Sequence, residues 1–149
     1  MANIGKWNTP SGPTTVLSTE LNSLGSGSMT AASAAVANQT NLDMYADIEV
    51  NLASFSPASG AYVAIYIAEA VDASNYPTQS AADMRLTSTQ LLANLPLGTT
   101  ASTAQRVVAR NVLLPPGSFK LYLDNQSGAA LAASGSTVKL LTYNMNLNG

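Results

Sequence analysis

Between residues 42 and 54 the chain alternates with period two. Leu42, Met44, Ala46, Ile48, Val50 and Leu52 take one side, and Asp43, Tyr45, Asp47, Glu49 and Asn51 the other. Successive side chains of an extended strand point to opposite faces, so this pattern fits a half-buried strand and conflicts with helical spacing. Ser56, Pro57, Ser59 and Gly60 supply turn chemistry, after which Val63, Ile65 and Ile67 face one way and Tyr62 and Tyr66 the other along Tyr62–Ala70. Two strands joined by so short a turn predict a hairpin.

The remaining pattern repeats the theme. Residues 71–85 carry turn formers without a sustained period and are expected to form a long surface loop, with one helical turn near 80–84; residues 86–97 suit a short helix or a strand equally. Residues 104–114 resume alternation, with Val108 and Val112 against Val107, Ala109 and Leu113, and stop at Pro115, Pro116 and Gly117. Residues 118–124 then set Phe119, Leu121 and Leu123 against Lys120, Tyr122 and Asp124, which predicts a second hairpin. After the connection at 125–135, a last strand is expected over 137–147, with Val138, Leu140 and Thr142 opposing Lys139, Leu141 and Tyr143. Six or seven short strands with almost no helix define an all-β chain: an antiparallel β-sandwich, with a jelly roll as the favoured form. The leading residues are rich in Ser, Thr, Gly and Ala around a few anchors, Trp7, Val16, Leu17, Leu21 and Leu24. Residues 1–27 are accordingly expected to be a partly irregular N-terminal arm draped over the sandwich or a partner, and residues 28–149 the sandwich domain. Within the arm Thr19 would cap a short helix over 20–24 that ends at Gly25, and 28–36 would be a weakly patterned strand.

Composition narrows the chemistry. The 149 residues include no histidine and no cysteine, which removes the commonest general base and metal ligand together with thiolate nucleophiles, zinc–thiolate sites and disulfides. Six basic residues, Lys6, Arg85, Arg106, Arg110, Lys120 and Lys139, are scattered through a chain of net charge −2, and direct nucleic-acid contact is not expected. No apolar stretch approaches a membrane span, and no secretory leader precedes Pro10 and Pro13, so synthesis in the cytoplasm without membrane association is expected.

Several constellations remain to be weighed. Asp47 and Glu49 share a strand face at roughly 6.5–7 Å, the carboxylate spacing of an inverting glycosidase, although alternating acids on a half-buried strand are ordinarily a solvated face. Asp43, Asp47, Glu49, Asp72 and Asp124 match no calcium-loop pattern, and Gly25–Ser28 no phosphate-binding loop. Ser136 and Lys139 reproduce an S-x-x-K spacing without its companion motifs, and Asn38 and Asn125 head glycosylation sequons that read as turns. No cofactor, metal or catalytic residue is assigned, and the chain is not expected to be an enzyme. Arg106 and Arg110 share a strand face four residues apart, placed to pair with Asp47 or Glu49 or with acids on a partner. Tyr62, Tyr66 and Tyr76, with Trp7, would make an aromatic platform for sugar or protein unless the long loop covers that face.

Taken in order, WNTPSGPTTVLSTELNSLGSG at positions 7–27, NLDMYADIEVNLAS, GAYVAIYIAEAVDASNYP and LLPPGSFKLYLDNQSGAALAASGSTVKLLTYN resemble small virion proteins of tailed bacteriophages, the jelly-roll capsid decoration or cement proteins. The resemblance implies a virion structural protein, made in the host cytoplasm, that sits on the capsid exterior and cements the lattice of the major capsid protein. Its partners would be that protein and neighbouring copies of itself, as a dimer or trimer. Trp7, Leu17, Leu21, Leu24, Tyr62, Tyr66, Arg106 and Arg110 are the candidate capsid or self-interface residues. The alternative is a head-fibre or tail-tip module that recognises a host glycan.

Overall fold

The computed structural model describes residues 6–72, 74–77 and 90–146. Eleven strands occur among them: β1 (Lys6–Trp7), β2 (Ser11–Leu17), β3 (Ser28–Met29), β4 (Val36–Ala37), β5 (Tyr45–Phe55), β6 (Tyr62–Ala70), β7 (Leu91–Pro96), β8 (Thr103–Leu113), β9 (Ser118–Gln126), β10 (Thr137–Tyr143) and β11 (Met145–Asn146), with one 3-10 turn at Thr19–Leu21. The first sheet runs β2-β10-β5-β8; the second runs β3-β9-β6-β7, with β4 also on β9; β1 and β11 form a small ladder of their own. All pairings are antiparallel.

The inward positions of the period-two pattern become the core. Ala46, Ile48, Val50, Leu52, Val138 and Leu140 of the first sheet meet Val63, Ile65, Ile67, Phe119, Leu121 and Leu123 of the second. A fully buried side chain of this size contributes about 1.5–3 kcal/mol of transfer free energy, so this shared layer holds the two sheets face to face. The molecule is therefore an antiparallel β-sandwich. When β3 and β4 are counted as one interrupted strand, eight principal strands pair first with last, second with seventh, third with sixth and fourth with fifth, the pairs alternating between sheets.

Both expected hairpins are corrected. β5 and β6 lie in different sheets, and residues 56–61 carry the chain across, anchored by the Ala58 N–H donating to Ser127 O at 2.8 Å. β8 and β9 are likewise split, across Pro115–Gly117, where the Leu114 N–H donates to Met44 O at 2.9 Å. Alternation tells which face of a strand is buried and leaves its neighbour open; two apolar faces can meet across a core as well as side by side. The ambiguous 86–97 stretch holds β7 over Leu91–Pro96, and the helical turn expected near 80–84 lies outside the described residues.

The N-terminal region is more integral than an arm. β2 pairs with β10 along Leu17↔Val138, Lys139↔Thr15, Leu140↔Thr14 and Thr142↔Ser11. Gly12 makes that pairing possible: its φ is 107°, and a Cβ there would lie 2.8 Å from Leu140 O. Ser18 precedes the 3-10 turn, which ends at Asn22, so the helix expected over 20–24 shrinks to three residues and Thr19 lies within it. The expected strand at 28–36 is broken into β3 and β4. Between them the Thr30 and Ser33 hydroxyls accept the Leu123 and Leu121 N–H groups of β9 at 3.0 and 2.9 Å, replacing the carbonyls of a continuous ladder.

Candidate interaction surface

On the outer face of the first sheet, β5 presents Tyr45, Asp47, Glu49 and Asn51, flanked in register by Tyr143, Leu141 and Lys139 of β10 and by Val108 and Arg106 of β8. The expected intramolecular pairing is present: the Arg106 Nε donates to Glu49 Oε2 at 2.8 Å, and Arg110 Nη1 stands 3.3 Å from Asp47 Oδ2. Both guanidinium groups are largely exposed, so these bridges position charge more than they stabilise. As an acid–base pair Asp47 and Glu49 would each have to act against an adjoining arginine.

A bulge shapes the middle of this face. Ala46 pairs with Val112 and Ile48 with Ala109, so that both Arg110 and Asn111 stand opposite Asp47. Asn111 adopts a φ of 55°, a left-handed conformation that asparagine tolerates better than most residues, and its N–H donates to Asp47 Oδ1 at 3.0 Å. The Tyr143 hydroxyl donates to the same oxygen at 2.8 Å. Burial, then that hydrogen bond and the Asp47 charge, push the Tyr143 phenol above its ordinary range. Two adjoining cavities follow. One of about 420 Å³ is lined by Trp7, Asn8, Pro10, Asp47, Asn111, Leu141 and Tyr143. The next, about 280 Å³, shares Asp47 and Leu141 and continues past Arg110 to Arg106 and Lys139.

At the end of the sandwich where β5 starts and β8 and β10 finish, large apolar side chains are exposed. Leu42, Met44, Leu113 and Met145, with Trp7 at the corner, make up five of the seven such residues found exposed among the described residues. Leu113 is 65% exposed and Trp7 57%. A hydrogen-bonded frame carries them: Asn144 Oδ1 accepts the Met44 N–H at 2.7 Å, Asn144 Nδ2 donates to Leu42 O at 3.1 Å, and the Asn8 N–H donates to Asn144 O at 2.9 Å. Trp7 meets Tyr45 and Tyr143 edge to face at 5.9 and 5.2 Å, while the two tyrosines stack at 6.1 Å.

The residues singled out from the sequence scatter. Trp7, Arg106 and Arg110 come together on the first sheet's outer side, but Leu17 and Leu21 are 1% and 0% exposed and belong to the core, which corrects their assignment to an interface. Leu24 is half-buried, with its carbonyl accepting from Asn125 Nδ2. Tyr62 and Tyr66 lie on the other sheet. Tyr66 is only 7% exposed, packed with Ala64, Ala68, Met29, Tyr62 and Tyr122, and Tyr76 takes the Lys120 ammonium over its ring at 4.4 Å. Burial thus takes Tyr66 out of the three-tyrosine platform, while Tyr62 and Tyr76 remain half-buried. Both sequon asparagines are buried and committed: Asn38 Nδ2 donates to Asp43 O and Pro115 O, Asn125 Nδ2 to Leu24 O and Ala129 O. Ser136 is buried just before β10, its hydroxyl accepting the Ala53 N–H, while Lys139 of β10 lines the outer groove, so the S-x-x-K residues do not meet.

Tyr45, Tyr143, Leu113, Met145 and Asn111 escaped the sequence reading. Aromatics at polar-face positions of a period-two strand were the available signal for the tyrosines. The alternation puts Leu42 and Met44 on the buried side, but both precede β5, and the φ of 51° at Leu42 breaks the alternation there. Comparison with protein-family models, with curated proteins and with solved structures found no match.

Proposed function

We propose that this chain is a virion structural protein that binds the exterior of a phage capsid and cements the lattice of its major capsid protein, standing on the apolar end of the sandwich. The strand order, first with last and second with seventh, is read as a jelly roll, in keeping with that class. The single observation that carries the proposal is the gathering of Leu42, Met44, Leu113 and Met145 at one end, on a frame fixed by Asn144. Exposed large apolar side chains gathered on one part of a surface mark contact sites between proteins. Cementing then needs no chemistry: a protein that binds only the expanded lattice stabilises that state by its binding free energy, repeated over many copies. Neighbouring copies, as dimers or trimers, would share the same end.

The test is co-sedimentation with expanded capsids and with procapsids. The parent protein is expected to pellet with expanded capsids alone. A Met44→Asp, Leu113→Asp double variant should keep its circular dichroism spectrum and lose affinity about 10–100-fold, since two apolar interface anchors are together worth roughly 1.4–2.8 kcal/mol. Undiminished binding by the double variant would remove the end from the interface. Failure of the parent to bind either particle would remove the decoration role itself.

A further inference from the structure

We infer that the groove on the outer face of the first sheet, from Trp7 past the Asn111 bulge to Lys139, binds an acidic oligosaccharide. Its floor is made by β10 and β5, both interior strands whose backbone groups are taken up by neighbours on either side. An extended peptide has no free edge to add to here, so whatever binds must be read by side chains. Those side chains match a pyranose. The apolar C–H face of a sugar ring packs on an aromatic ring, and Trp7 offers one that is more than half exposed at the mouth of the 420 Å³ cavity. The hydroxyl rim of a sugar needs planar groups that donate and accept in pairs, and Asn8, Asn111 and Asp47 line the same cavity.

The polar groups are held before any ligand arrives. Asp47 Oδ1 is fixed by the Asn111 N–H and the Tyr143 hydroxyl, leaving Oδ2, beside Arg110, with acceptor capacity for a sugar hydroxyl. The bulge that turns both Arg110 and Asn111 toward this carboxylate keeps a strained residue where a regular strand would have none. Beyond Asp47 the groove becomes cationic: Arg106, Arg110 and Lys139 face Asp47 and Glu49, an excess of one positive charge (three minus two). Among the described residues Lys139 forms no ion pair. A carboxylated sugar one ring along from the pyranose stacked on Trp7 would meet that charge. Trp7 stands where the groove meets the apolar end, whereas Met44 and Leu113 are not among the residues that line the groove.

Trp7 is the chain's only tryptophan, so its fluorescence reports the site directly. Titration with tetragalacturonate should give a saturable change in Trp7 emission that weakens with added salt, and cellotetraose, a neutral tetrasaccharide, should bind less tightly. Lys139→Ala should weaken tetragalacturonate binding about three- to fivefold, the worth of one exposed charge contact. Asn111→Gly, which suits the left-handed backbone while deleting the amide, should also weaken it. The Met44→Asp, Leu113→Asp variant should bind as the parent does, which separates this site from the capsid-binding end. The proposal is overturned by any of three results: no saturable change with either saccharide, binding unaltered in both Lys139→Ala and Asn111→Gly, or an equal response to cellotetraose or a tetraglutamate peptide.

Discussion

Asp47 joins three neighbours that the chain brings from distant positions: the Arg110 side chain, the Asn111 N–H and the Tyr143 hydroxyl. The Tyr143 link has a pH signature. Because burial and the Asp47 carboxylate raise the phenol's folded-state pKa, the folded protein holds that proton more tightly than the unfolded chain does. The associated stability is fully present below the unfolded value near 10 and is lost as pH rises from there through the folded value. Urea unfolding between pH 8 and 11 should show the parent losing stability more steeply than Tyr143→Phe. At pH 7 that variant should be less stable by about 1.5–3 kcal/mol, the worth of a hydrogen bond to a charged acceptor. Equal slopes would mean that neither burial nor Asp47 raises the Tyr143 phenol in the fold. Some of this site was open to sequence reading: Arg106 and Arg110, four apart on a strand, share a face and are placed to pair with Asp47 or Glu49 or with acids on a partner. The Asn111 contact was not, because a bulge inserts a residue and breaks the parity on which that argument runs.

Among the elements, β5 and β10 were legible because burial of one face forces the period on the sequence, while β6, buried on nearly its whole length, was legible from the branched residues Val63, Ile65 and Ile67 set against small and aromatic ones. β2 was not. Its seven residues SGPTTVL are exposed at all but the last two positions, so an edge strand held by backbone pairing leaves almost no hydrophobic trace. β3 and β4 were blurred because hydroxyls of Thr30 and Ser33 stand in for the ladder between them. For β2 the local determinant is a glycine. Gly12→Ala would place a methyl 2.8 Å from Leu140 O and 3.0 Å from Thr14 N on a backbone at φ 107°. The expected cost is about 1–3 kcal/mol, read as a lower urea midpoint, with faster amide exchange along the β2–β10 ladder. A variant with parental exchange there would show that β2 adapts without strain.

Across the whole molecule, the boundary expected near residue 27 divides a segment that the core does not divide. Leu17 and Leu21, read as arm anchors, are as buried as Ile48 or Leu123, and the chain around them is tied across the fold by the Ser23 N–H donating to Ala132 O and the Leu131 N–H to Leu24 O. The sequence was silent on this because four spaced leucines and valines carry no period; only their distance to Leu131 and Val138 in three dimensions makes them core. A detachable arm and an integral segment predict different unfolding. If residues 11–24 were draped on a complete sandwich, Leu21→Ala would cost little and leave the main transition in place. In this fold it opens a cavity at a site of 0% exposure, and should cost about 2–5 kcal/mol, as other buried leucines do. The loss should be global: Trp7 fluorescence, reporting the β1–β11 end, and far-ultraviolet circular dichroism, reporting both sheets, should shift together to the same lower midpoint. Two separated transitions, or a midpoint within error of the parent, would restore the arm as an independent element.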